Sequence, residues 1–121
     1  MENDIILQTT RAALGLAETG TDFNSEVMLH IRAALSILNQ NGIGVEDLVI
    51  DNTTTWGAFK NVAQLNGNKH FALVPTFVFT KTKILFDPPP PSNVPFYDGY
   101  IQELLWRLRI AYEEDNNAAI I

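Results

Sequence analysis

The chain contains no cysteine, which excludes disulfide bonds and thiolate chemistry and is compatible with a reducing compartment. It also lacks any run of eighteen or more apolar residues, so we expect no membrane span. The first residues begin acidic and lack a basic region, so we expect no secretory signal. Basic residues are few: 8 Lys and Arg face 14 Asp and Glu, for a formal net charge of −6. This balance argues against a general nucleic-acid-binding module, which normally presents a basic face.

What the chain does contain is enough apolar material for a folded core. It has 121 residues, of which 46% are hydrophobic and 18% are charged. These are the proportions of a globular protein, and a chain of this length is too short for two separate cores. We therefore predict a single domain over residues 1–121.

Side-chain patterns that support catalysis or metal binding are missing from the sequence. The two histidines, His30 and His70, have no carboxylates at metal-ligand spacing, and HExxH is absent. The glycines in NGIG and LNGN do not form a phosphate-binding loop. The acidic groups at 46–51 and 113–116 lack the regular spacing of an EF-hand. We predict no catalytic residue, no cofactor and no metal site.

The strongest helical pattern before the prolines is DFNSEVMLHIRAALSILNQNGIG, for which we predict a helix from Phe23 to Asn41. Asp22 is a plausible N-cap, and Gly42 stands where a left-handed C-terminal cap is expected. The apolar positions repeat at helical spacing. They are Val27, Ile31, Ala34, Leu35 and Leu38.

Two shorter helices are predicted on either side of it. Asn3 to Leu14 has apolar residues at roughly helical spacing and is followed by Gly15. In TTTWGAFKNVAQLNGN, one of the threonines at 53–55 caps a helix that presents Trp56 on an apolar stripe and stops near Gly67.

The segment HFALVPTFVFTKTKILF is ambiguous from its residues alone. Phe, Val, Thr and Ile dominate Pro75 to Phe86, which favours a strand. A long apolar segment can equally be a buried helix, with Pro75 in its first turn. Periodicity does not separate these two structures.

The stretch LFDPPPPSNVPF contains four consecutive prolines, Pro88, Pro89, Pro90 and Pro91, which favour an extended polyproline conformation. We interpret them as a stiff spacer. A helix capped by Ser92 or Asn93 should follow, and residues 113–121 should form a flexible tail. The helix carries one apolar stripe. It consists of Ile101, Leu104, Leu105, Leu108 and Tyr112.

Trp106 lies about 200° around this helix from Leu104 and therefore points away from the stripe. Arg109 is on the same side, with Gly99 nearby. Interfaces are enriched in Trp and Arg, so a contact with another subunit is one interpretation. Burial within the same subunit is the other, and the residues alone leave both open.

Three segments in order, DFNSEVMLHIRAALSILNQNGIG, TTTWGAF and KILFDPP followed by IQELLWRL, resemble the head–tail connector adaptor family of tailed bacteriophages. The likeness runs from about Asp22 to Leu108, and FDPP followed by ELxWRL is its most specific part. The resemblance implies an α-helical adaptor that docks under the portal ring after DNA packaging. Typically twelve copies form a ring that extends the DNA channel and receives the next neck protein, a stopper or tail terminator. It implies no enzymatic activity and no cofactor.

The resemblance also implies a fold and a set of contacts. We expect an all-α bundle of four to five helices with a long antiparallel core pair, in which residues 76–86 are helical. Because Pro75 departs from the family pattern, this helix should start late or be shorter than in relatives. Phe86 should pack on the stripe of the last helix, and the tail should contribute to portal docking. The candidate interface residues are Phe86, Trp106, Arg109, Tyr112, Ile120 and Ile121.

The expected location is the neck of the virion, reached by assembly in the host cytoplasm. DNA would pass through the channel without specific binding, and no membrane would be involved. Two alternatives stay open: another neck or tail-completion protein, and a small monomeric helical module that binds or inhibits one partner through its last helix.

Overall fold

The computed structural model describes residues 3–43, 50–62 and 73–120, and gives only the backbone of residues 60–62, 112 and 114–120. Five α-helices and one short 3₁₀ turn occupy these ranges, which contain no strand beyond one isolated β-bridge. The predicted all-α class and helix number are confirmed. The helices are α1 (Ile6–Ala13), α2 (Asn24–Gln40), α3 (Trp56–Val62), α4 (Leu73–Phe86) and α5 (Val94–Ile120).

Helix α2 ends as predicted but begins differently. Gly42 has φ of +84°, and the Ile43 amide donates to the Leu38 carbonyl at 2.9 Å, which is the Schellman arrangement that glycine favours. The prediction that Asp22 caps the N-terminus is wrong. The N-cap is Phe23, in the left-handed region at φ of 65° and without a side-chain cap.

The physical reason for this start is a buried arginine on α1. Arg11 is 2% exposed, and its Nη1 donates to the Asp22 carbonyl and to Asn24 Oδ1, the latter at 2.7 Å. Its Nε donates to the Ala17 carbonyl at 2.7 Å. These bonds fix the loop between α1 and α2, so the chain enters α2 in a conformation that the local sequence would not choose.

Helix α3 is joined to the beginning of α1. The Thr55 hydroxyl accepts from the Ala58 amide at 3.2 Å, so Thr55 is the predicted threonine cap. An isolated antiparallel bridge pairs Ile5 with Thr55, and the Trp56 indole donates to the Thr9 hydroxyl at 2.9 Å. Trp56 is fully buried, so this junction closes one end of the core.

The ambiguous segment is helix α4, which confirms the helical prediction for residues 76–86. Of the two alternatives predicted from Pro75, the late start is wrong, because α4 already includes Leu73 and holds Pro75 in its first turn, where a missing amide costs no helical bond. The other, a helix shorter than in relatives, stays a prediction. Burial decides against strand propensity, since Val74, Phe77 and Val78 are enclosed by the neighbouring helices.

Helix α4 is central: it packs against α2, α5 and α1. The ring of Phe86, at the end of α4, meets that of Phe23, at the start of α2, with 5.6 Å between centroids. The two helices therefore run antiparallel, as predicted for the core pair. The core combines residues of all five helices with Ile43 and Ile50.

The proline run divides into two parts. Pro90 is extended, with φ of −54° and ψ of 146°, whereas Pro91 is the first residue of a 3₁₀ turn over Pro91–Asn93. The Asn93 amide donates to the Pro90 carbonyl at 2.8 Å, which leads directly into α5. Pro91 thus starts the helical region instead of extending the spacer, because its fixed φ suits a first helical position.

Helix α5 buries the predicted stripe as far as Leu108. Ala111 is the last residue of this helix whose side chain is both described and buried. Backbone helix continues through 113–120. The predictions of a flexible tail at 113–121 and of a single domain over 1–121 both stay predictions. Gly67, His70, Glu46, Asp47 and Ile121 lie outside the described residues, as do the side chains of Tyr112 and Ile120.

Candidate interaction surface

Helix α5 has a second face that the described part of the subunit does not cover. Trp106 is 60% exposed and Phe96 is 76% exposed, although both are large aromatic residues. Tyr100 and Ile110 are also exposed. Their spacing of 4, 6 and 4 residues keeps them on the side of α5 opposite the buried stripe. This set, Phe96, Tyr100, Trp106 and Ile110, is called the outer face below.

Trp106 therefore points outward, as its position relative to Leu104 predicts. Of the two interpretations, burial within the subunit does not hold for the part of the chain that the structure describes. Contact with another subunit stays a prediction. Gly99 lies on the same face, and a Cβ built there meets nothing within 4 Å, so the helix surface is flat and open at that turn.

Two charged residues of α5, Glu103 and Arg107, pair with each other. Arg107 donates to Glu103 Oε1 from Nη2 at 2.9 Å and from Nε at 3.2 Å, an ion pair between residues one turn apart on the helix. Both side chains are more than half exposed, so the pair contributes a few tenths of a kcal/mol. Arg109 is exposed beside Trp106.

A groove opens next to the first turns of α5. It has a volume of about 290 Å³ and is mainly apolar. Helix α4 supplies Phe79, Thr80 and Lys83, the end of α1 supplies Ala13, and α5 supplies Phe96, Tyr97 and Tyr100. The rings of Phe96 and Tyr97 stand nearly perpendicular, with 5.9 Å between centroids. The groove therefore has aromatic walls and a single basic edge.

Of the other predicted interface residues, Phe86 is the one whose side chain the structure describes. Phe86 is half-buried and its ring contacts Phe23, which is 56% exposed. Its ring is thus packed at the start of α2 and against the core. The proline run forms, with Lys83 and Tyr97, a small depression beside the groove.

Sequence reasoning missed Phe96, Tyr100 and Ile110. Phe96, Gly99, Glu103, Trp106 and Ile110 follow alternating steps of three and four residues, the spacing of a helix stripe. This spacing is present in the sequence, but Gly99 and Glu103 are not apolar, so the stripe is difficult to recognise. The groove had no local signal, because three separate helices build it.

In the described ranges no three His or acidic residues lie close enough to hold a metal ion, and no helix there is long and apolar enough to cross a membrane. His30 Nε2 lies 3.7 Å from Glu26 Oε1 within α2. Hydrogen bonds from Thr53, then Thr54, lower the pKa of the exposed Asp51 carboxyl below 3.8, as expected for a turn.

A family model described as "Phage connector protein" matches residues 6–115, which include α1 to α4, α5 up to residue 115 and the outer face. The chain belongs to this family. No curated protein matches the chain, and no solved structure matches it either. Membership in the connector family makes the protein a structural component of the phage, with a role at the junction of head and tail. For a connector protein, exposed aromatic residues on a helix are a candidate surface for contacts with other virion proteins.

Proposed function

We propose that this connector protein is the head-to-tail adaptor of the phage neck. It docks on the portal ring and extends the DNA channel. There it presents a surface to the next neck protein, a stopper or tail terminator. The observation that carries the proposal is the outer face of α5 in a chain that the connector family matches over residues 6–115. The role requires no catalysis.

An adaptor of this kind works as a ring of identical subunits, typically twelve. Closed rings need a head-to-tail contact between two different surfaces of the subunit. The outer face supplies one apolar surface, and Trp106 within it and Arg109 beside it are of the types that dominate binding energy at interfaces. The end of α5 and the residues after it, including Tyr112, Ile120 and Ile121, would contribute to portal docking.

The charge of the chain suits a conduit for DNA. Twelve copies, each with a net charge of −6, would together carry about −72. A predominantly acidic channel repels phosphates and lets DNA pass without binding. A channel lined by Lys81, Lys83, Arg107 and Arg109 would refute this part of the proposal.

The proline run would set the angle between the core pair and α5. Asp87 to Pro90 forms the short connection, and Pro91 begins the turn into the helix. Because proline fixes φ, the connection has few alternative conformations. The outer face would then be presented to a neighbour in one orientation.

Electron microscopy and native mass measurement test the proposal. The protein is examined alone and after mixing with its cognate portal. Rings seated on the portal support the adaptor role, and their location in the virion neck follows from labelled particles. A protein that stays monomeric and ignores the portal contradicts it and favours a monomeric module with one soluble partner. Rings that bind the tail and not the portal would instead indicate another neck or tail-completion protein.

A further inference from the structure

We infer that Trp106 of one copy inserts into the groove of the next copy, so that the two surfaces described on α5 form one repeating contact. This inference rests on the proposed ring and adds the identity of both sides of the subunit contact. The occupant of the groove is a second copy of this chain.

The groove has the size and lining for one large side chain. Its volume of about 290 Å³ is just below the range of small-molecule sites, which begins at about 300 Å³. Its walls are the rings of Phe79, Tyr97 and Tyr100. Aromatic walls favour an aromatic guest, through edge-to-face contacts. Such a guest exists on the same molecule, since Trp106 is 60% exposed.

Trp106 and the groove wall lie at opposite edges of the outer face. Six residues separate Tyr100, in the groove wall, from Trp106, which places them about 120° apart around α5. One flat partner surface cannot engage both at once. A symmetric dimer would cover both only if each copy's tryptophan entered the other's groove at the same time, which requires the groove and Trp106 to lie in one self-complementary patch. A contact between different patches satisfies both, and repetition of that contact builds a ring.

The exposed aromatic area on α5 is too small to hold two isolated copies together. Aromatic residues bury about 150–250 Å² each, so the exposed fractions of Phe96, Tyr100 and Trp106 correspond to roughly 350 Å². A stable pairwise interface buries about 800 Å² per partner. In one contact Trp106 belongs to one copy and Phe96 and Tyr100 to the next, so this area is summed over both partners and is about a fifth of the roughly 1,600 Å² that a standard interface buries in total. A closed ring on a template adds a second contact for every copy.

The absence of cysteine allows a direct test by engineered cross-linking. Ile110, one turn beyond Trp106, is changed to Cys and combined with Ala13→Cys at the groove edge or Thr80→Cys in its wall. Ile110→Cys with Ser36→Cys, an exposed position on α2, is the matched control. Each variant is assembled on the portal and treated with a flexible bis-maleimide, which tolerates small differences in distance.

A ladder of covalent multimers from the groove pairs, with none from the control pair, is the expected result. A dimer from Ile110→Cys alone would show a symmetric contact and overturn the inference. Rings without any ladder would also overturn it, while leaving the adaptor role intact. If the wild-type protein forms no ring on the portal, both fail, and micrographs show this before any variant is made.

A second measurement does not depend on cysteine placement. Iodide quenches the fluorescence of exposed Trp106 in the monomer, whereas Trp56 is fully buried and protected. Ring formation should remove this quenching. The Trp106→Phe variant shows which part of the fluorescence comes from Trp106. Trp106→Ala should weaken ring formation at least tenfold without changing the monomer's melting temperature. Unchanged quenching in rings, or rings of Trp106→Ala with wild-type affinity, would refute the inference.

Discussion

The guanidinium of Arg11 connects α1, the following loop and the start of α2, and Arg11→Met tests how much of the fold depends on it. Methionine keeps an apolar stem of similar length and removes every donor. The wild-type side chain is 2% exposed and donates to Ala17, Asp22 and Asn24. Its loss leaves three acceptors without this partner.

The expected magnitude follows from these bonds. A hydrogen bond to a charged group contributes about 1.5–3 kcal/mol. The substitution also removes the cost of burying a cation away from water. This gain of several kcal/mol offsets part of the stability lost with the three hydrogen bonds. The Ala17 and Asp22 carbonyls also belong to exposed residues that water reaches once the loop opens. We expect a net loss of about 2–4 kcal/mol in the free energy of unfolding, or about 10–15 °C in melting temperature.

Urea denaturation followed by circular dichroism and Trp56 fluorescence measures this loss. A second substitution isolates the mechanism. A Cβ at Gly20 would lie 2.6 Å from Arg11 Nη2, whereas its other neighbours are at ordinary distances. Gly20→Ala should therefore destabilise the wild type by about 1–3 kcal/mol and be almost neutral in the Arg11→Met background.

Two results would refute this reasoning. Arg11→Met with less than about 1 kcal/mol of destabilisation would mean that the loop is held by other contacts. Equal costs of Gly20→Ala in the two backgrounds would mean that the steric conflict is not with the guanidinium.

Three further predictions concern single local features. Gly42→Ala should lower the free energy of unfolding by about 1 kcal/mol because φ is +84° there, while Gly99→Ala, in an open turn of α5, should raise it by about 0.5–1 kcal/mol; urea denaturation compares the pair. The lowered pKa of Asp51 means that its contribution to stability is present above about pH 4 and lost as pH falls through that pKa. Asp51→Asn should thus lower the melting temperature at neutral pH, and the difference should shrink as pH falls below about 4; a difference that does not change with pH would assign the effect to something other than charge. Replacing Pro89–Pro91 with Gly and Ser should cost about 1–3 kcal/mol and reduce ring formation on the portal; normal rings and an unchanged melting temperature would leave the spacer without a structural role.

Local signals in the sequence predict much of the fold. The stripe of α5 and the glycine cap at Gly42 depend on contacts within one helix, so periodicity and capping rules identify them. The start of α2 could not be predicted, because it is imposed by Arg11, which lies thirteen residues before Asn24 in the sequence. Helix α4 needed the family resemblance, since its burial between three helices outweighs its strand propensity.

The candidate surface was predictable only in part. Trp106 stands out because it departs from the stripe of its own helix. Phe96 and Ile110 belong to a helical repeat whose other members include Gly99 and Glu103, which are not apolar and weaken the pattern. The groove requires Ala13, more than sixty residues from Phe79, to lie beside α4, and no local rule supplies that proximity.

Contacts with other parts of the chain hold α1 at both of its ends, and this affects how the protein unfolds. Eight residues are too few to hold a helix in isolation. The bridge of Ile5 to Thr55 and the indole bond to Thr9 secure the beginning of α1, and Arg11 secures its end. The helix therefore cannot fray from either side without releasing a neighbour. In native-state hydrogen exchange, the amides of α1 should exchange only when the whole subunit unfolds, so this short N-terminal helix would report global stability.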